Sequence, residues 1–169
     1  MVLKPQDLLV LLHLAVRAGF WNYASVAQAL GLSTSAIHGA VARAVRCGLI
    51  DAHTRRVRRE ELLEFLAHGL RYVLPIERGA VTTGMPTAHG AAPLKDRIRA
   101  SAGELPPIWP DPESKQRGES WQPIHPSAVF AARRDPKLYE ALALVDAIRG
   151  GRARERKFAV ETLKKRLVP

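Results

Sequence analysis

The chain is poor in cysteine, methionine and aromatic residues: one Cys, two Met and 6% Phe, Trp and Tyr among 169 residues. One cysteine, Cys47, excludes an internal disulfide and suits a reducing compartment, so a cytoplasmic protein is expected. Cys47 ends an amphipathic stretch, where a buried thiol is expected rather than a reactive one. No run of about 18 apolar residues occurs, which argues against a membrane partner or span. The first residues turn polar at once, in Lys4-Pro5-Gln6-Asp7, without the layout of a signal peptide. The sequence has no HExxH, CxxC, GxSxG or GxxxxGK[ST] motif. Its six histidines, at positions 13, 38, 53, 68, 89 and 125, lack metal-ligand spacing. Neither catalysis, nor a cofactor, nor a metal is expected.

Acids are also scarce. Sixteen Asp and Glu face 26 Lys and Arg, for a net charge of +10. Residues 1–59 hold eight bases against two acids, and residues 130–169 hold eleven against five, while residues 71–129 are near balance with seven and six. Positive charge is concentrated at both ends, which suits a polyanionic partner.

What is present is order at the two ends. Residues 5–19 carry Leu8, Leu11, Leu12, Ala15 and Val16 on a helical stripe, with Pro5 near the start and Gly19 at the end. His13 on this helix reads as a partly buried polar residue. Phe20, Trp21 and Tyr23 follow in a cluster that reads as core. Residues 24–50, ASVAQALGLSTSAIHGAVARAVRCGLI, then give a short helix, a turn and a second helix. Val26, Ala27 and Leu30 form the apolar face of the first. Gly31 breaks it where a positive φ is needed. Leu32 tucks into the turn, and the Ser33 hydroxyl suits an N-cap. Ile37, Val41 and Val45 place one face of the second helix inward. Its outward face is Thr34, Ser35, His38, Gly39, Ala42, Arg43 and Arg46. No acid lies between Ser33 and Ile50.

These residues together resemble the helix-turn-helix of bacterial winged helix-turn-helix transcriptional regulators, over about residues 5–60. The resemblance implies that the second helix enters the major groove of double-stranded DNA. Ser33, Thr34 and Ser35 would then meet phosphates or base edges, while His38, Arg43 and Arg46 reach further; arginine suits guanine O6 and N7. Gly39 inside a helix costs about 1 kcal/mol relative to Ala. Close helix packing and close approach to DNA both account for it. Residues 49–59 occupy the wing position, where Arg55, Arg56, Arg58 and Arg59 would lie along phosphates or enter the minor groove, with a solvated basic loop opening the next helix as the alternative. The segment lacks a long hairpin and a glycine at its tip, so a stunted wing is expected. Arg46 and His53 also resemble the Arg-plus-His pair of small helical ribonucleases, but Gly48 interrupts the helix such a site needs.

Beyond the motif, residues 59–70 read as a fourth helix. Tyr72-Val73-Leu74 reads as a strand. Residues 82–90 show no period and read as a packed connector, with a ligand loop as the alternative. Residues 103–126 hold six of the twelve prolines, with Trp109 and Trp121 expected to pin this stretch onto the domain. Asp135-Pro136 opens a helix with Leu138, Leu142, Val145 and Ile148 inward. After Gly150-Gly151 a second helix carries Ala159, Val160, Leu163 and Leu167 inward and a basic outer face.

The expectation is a mainly α protein in three parts: a winged helix-turn-helix domain (1–70), an irregular Pro-rich strap packed on it (71–134) and a C-terminal helical hairpin (135–169). The function expected is a DNA-binding transcriptional regulator, acting as a homodimer through Leu142, Val145, Leu163 and Leu167 of the hairpin. The alternative is an antitoxin-like or adaptor protein whose basic C-terminal helices dock an acidic partner protein while the N-terminal domain controls its own operon.

Overall fold

A computed structural model describes residues 2–17 and 19–168. The chain begins with α1 (Pro5–Val16), α2 (Tyr23–Leu30), α3 (Thr34–Arg46), α4 (Arg59–His68) and the single turn α5 (Leu70–Val73). Strands β1 (Arg78–Pro86), β2 (Pro107–Pro110) and β3 (Gln116–Trp121) follow, then α6 (Ala128–Arg134), α7 (Pro136–Gly150) and α8 (Ala153–Leu167).

The helical ends form as their local signals dictate. Pro5 stands in the first turn of α1, where its missing N–H is harmless. Asp135 caps α7 by accepting from the Lys137 and Leu138 backbone N–H groups, ahead of Pro136. Helix α1 is buried on every side from Asp7 to Ala15, and so is α7 from Ala141 to Arg149. The two pack against each other, α8 covers α7 and α4, and α6 lies against α2 and α7. A single hydrophobic core therefore runs from Leu8 through Leu142 to Leu167.

The middle of the chain corrects the expected fold class. Residues 71–134 are not an irregular strap on a mainly α protein: they carry a three-stranded sheet, and the fold is mixed α and β. Strand β1 pairs antiparallel with β3 over Arg78–Gly84 and with β2 over Gly84–Pro86, and β2 lies parallel to the end of β3. The stretch read as an aperiodic connector, 82–90, is the second half of β1 and a 3₁₀ turn at Ala88–Gly90. Tyr72 and Val73, read as strand, sit in α5. Trp109 and Trp121 are buried as expected, but from within strands.

A buried polar network fixes this sheet to α7. Asp146 accepts hydrogen bonds from Thr87 Oγ1 at 2.8 Å, Trp109 Nε1 at 2.6 Å and Arg149 Nη1 at 2.8 Å. Arg149 Nε also donates to the Leu74 carbonyl at 2.8 Å. A buried charge is tolerable only when paired and fully hydrogen-bonded, and both conditions hold here.

No helix among the described residues is long and apolar enough to cross a membrane.

Candidate nucleic-acid interface

Helices α1, α2 and α3 form the three-helix core that holds the interface. Asn22 caps α2 by accepting from Ser25 N at 2.8 Å. Gly31 ends it with φ of +64°, in the left-handed region where glycine carries no steric cost. A Cβ at Gly31 would also press on the Phe130 ring of α6 at 3.0 Å, so glycine is required twice over. The Ser33 hydroxyl then caps α3, accepting from Ala36 N at 3.1 Å. Ile37, Ala40, Val41 and Ala44 turn inward.

Outward, Ser33, Thr34, Ser35, His38, Ala42, Arg46 and Cys47 are all exposed. The free thiol of Cys47 is thus on the surface, not buried as the sequence suggests, because the helix ends one residue earlier, at Arg46. Arg46 pairs with no acid among the described residues.

Arg43 behaves differently. Its guanidinium turns inward and grips Asp7 through two hydrogen bonds of 2.7 Å. The Asp7 carboxylate is fully buried and also accepts from Lys4 N at 2.8 Å. Such a bidentate, shielded pair holds α3 against the start of α1 and is not free to read a base. It also accounts for Gly39. A Cβ there would meet the Arg43 guanidinium at 3.2 Å, so the missing side chain gives the arginine its path to Asp7.

The wing is short. A single antiparallel bridge joins Ile50 to Val57. Between them the Asp51 carboxylate accepts from His53 N, Thr54 N and Thr54 Oγ1, and Arg58 Nη2 donates to it at 3.2 Å. These donors hold the Asp51 carboxyl well below the usual carboxylate range, so it stays ionised and neutralised locally. Arg58 is therefore part of the turn. Arg55 takes the positive φ that glycine would otherwise fill, at +57°.

Arg55 links the wing to α3 through aromatic rings. Its guanidinium lies 4.7 Å from the centroids of both Trp21 and Tyr23. Trp21 Nε1 donates to the Arg55 carbonyl at 3.3 Å. Tyr23 in turn stacks on His38 with centroids 3.5 Å apart. The order Trp21, Arg55, Tyr23, His38 is thus one continuous surface from the 50–57 turn to α3. The aromatic cluster read as core is only partly so: Trp21 and Tyr23 are half-buried, and Phe20 is 98% exposed. Its signal in the sequence was the Arg-rich segment that follows the motif, since an aromatic–arginine surface needs both partners.

Of the ten residues singled out on the chain, Ser33, Thr34, Ser35, His38, Arg46, Arg55 and Arg56 share this exposed face or its edge. Gly39 is partly covered, and Arg43 and Arg58 are held by Asp7 and Asp51. No group of three or more His, Cys, Asp or Glu suited to a metal occurs among the described residues.

No family model, curated protein or solved structure matches the chain.

Proposed function

We propose that the chain is a sequence-specific, double-stranded DNA-binding transcriptional regulator that places α3 in the major groove and the wing along the flanking backbone. One observation carries this reading. The exposed face of α3 has no acid, bears Ser35, His38 and Arg46, and runs without a break into the cation-rich wing through the Tyr23 and Arg55 stack. Duplex DNA asks for hydrogen-bonding side chains toward the bases and fixed cations toward the phosphates. In this reading the protein is not an enzyme, and its compartment is the cytoplasm.

A homodimer remains part of the proposal, because two half-sites gain from effective concentration. Its contacts cannot be the four residues read from the sequence. Leu142, Val145, Leu163 and Leu167 are all buried in the chain's own core. The adaptor reading keeps one supporting observation: Arg154, Lys157, Lys164 and Lys165 line the outside of α8, exposed and without acid partners among the described residues. An acidic partner protein suits them.

The test is selection of duplexes from a randomised pool by the full-length protein, followed by titration at several salt concentrations. Enrichment of one sequence is expected. Replacing Arg55 and Arg56 by Ala is expected to weaken all sequences alike and to lower the salt slope by about 1 per lost phosphate contact. Failure to enrich any sequence would count against the reading.

A further inference from the structure

Phe20 is the most exposed large apolar side chain of the described residues, at 98%. It stands at the rim of a cleft of about 580 Å³ between the end of α1 and the wing. Arg17, His53, Arg55, Arg56 and Arg59 line that cleft with no carboxylate among them. Arg17 has Asp135 as a partner at 3.2 Å, but Arg55, Arg56 and Arg59 have no acid partner among the described residues.

A lone surface aromatic needs no explanation. An exposed aromatic ring on the same cleft as Arg55, Arg56 and Arg59, which have no acid partner among the described residues, does. A purely apolar pocket closing over Phe20 would strip water from these cations without supplying negative charge. DNA supplies both requirements, phosphates for the arginines and a base step for the ring. The Phe20 loop is also tied to the proposed interface, since Trp21 bonds to the Arg55 backbone and Arg55 stacks on Tyr23 beside α3.

We infer that Phe20 is a wedge that enters the minor groove flanking the α3 site, partly unstacks one base step and bends the duplex, with Arg55 and Arg56 holding the phosphates on either side. Apolar wedges of this kind kink DNA toward the major groove, and cations on the flanking phosphates hold the protein at the bend. This inference rests on the DNA-binding reading of α3.

The test uses the full-length protein and a duplex enriched from a random pool, carrying donor and acceptor dyes at its two ends. Saturating wild-type protein is expected to shorten the end-to-end distance. Phe20→Ala is expected to lose that shortening and about tenfold in affinity. Phe20→Leu, which keeps an apolar wedge, is expected to retain most of both. Melting of Phe20→Ala is expected to match the wild type, because so exposed a ring packs on nothing. A wild type that does not bend the duplex, or a bend that survives in Phe20→Ala, overturns the wedge and leaves the α3 reading standing. So does a change in self-association of Phe20→Ala without DNA, which would assign the ring to a contact between copies. Failure to enrich any duplex is the distinct result that removes the α3 reading.

Discussion

Helices α3 and α7 both carry apolar residues at helical spacing, yet the structure uses them in opposite ways. On α7 the residues Ala141 to Arg149 are buried on every side, and even its charged Asp146 and Arg149 are spent on internal bonds. On α3 only one face is covered, and the other offers Ser35, His38 and Arg46 to solvent. The difference separates a helix that makes the core from one that is held by it. Charge alone does not make the distinction, because Arg43 and Arg46 sit three residues apart on α3 and have opposite fates.

The largest expected effect tests the α7 side of that contrast. A chain ending at residue 134 loses α7 and α8, and with them the Leu138, Leu142, Val145, Ile148, Leu163 and Leu167 side chains at the centre of the common core. It is expected to show no cooperative thermal transition by circular dichroism, rather than to fold as a monomer with an intact DNA-binding domain. A stable, cooperatively melting 1–134 fragment would show that the N-terminal helices do not need α7.

Next comes the inward arginine. Arg43→Ala leaves the Asp7 carboxylate buried and unpaired, which is expected to cost about 3–5 kcal/mol of stability by denaturant titration. Replacing Asp7 and Arg43 together by Asn and Met is expected to recover much of that loss. An Arg43→Ala protein as stable as the wild type would mean that the guanidinium is free after all.

A smaller effect probes the seam between α1 and α7. His13 is buried beside Arg17 and Asp135, and its pKa is lowered to about 4, chiefly by burial and then by Arg17, against the pull of Asp135. The unfolded chain binds this proton near pH 6.5. The stability from a neutral His13 is therefore complete above about pH 6.5 and lost as pH falls toward 4, amounting to about 3 kcal/mol. His13→Leu is expected to flatten that part of the stability profile. An unchanged slope between pH 6.5 and 4 would place its origin elsewhere.

The two helices α2 and α3 and the turn between them were legible because their signals are local. Gly31, Ser33 and the spacing of Ile37 and Val41 act within a few residues of each other, and the structure places the turn, the cap and the buried face accordingly. Gly39 and Arg43 were not legible, since their explanation is Asp7, 36 residues away in the chain. The sheet was hidden for a related reason. Strand β1 is exposed over Arg78–Thr83, so it shows no alternation of apolar and polar residues, and its partners lie across long intervals of sequence. Proline at 86, 107 and 110 reads as loop but is tolerated at the ends of these short strands. Phe20 was misplaced because apolar character says nothing of which side chains remain uncovered.

The most direct measurement is the affinity of Arg46→Ala for an enriched duplex, set beside its stability. Stability within about 0.5 kcal/mol of wild type is expected, because Arg46 is exposed and pairs with no acid among the described residues. Affinity for the enriched sequence is expected to fall by about 1–3 kcal/mol, with discrimination relaxed at one base pair. Wild-type affinity and wild-type discrimination in Arg46→Ala would contradict the assignment of the outward face of α3 to DNA.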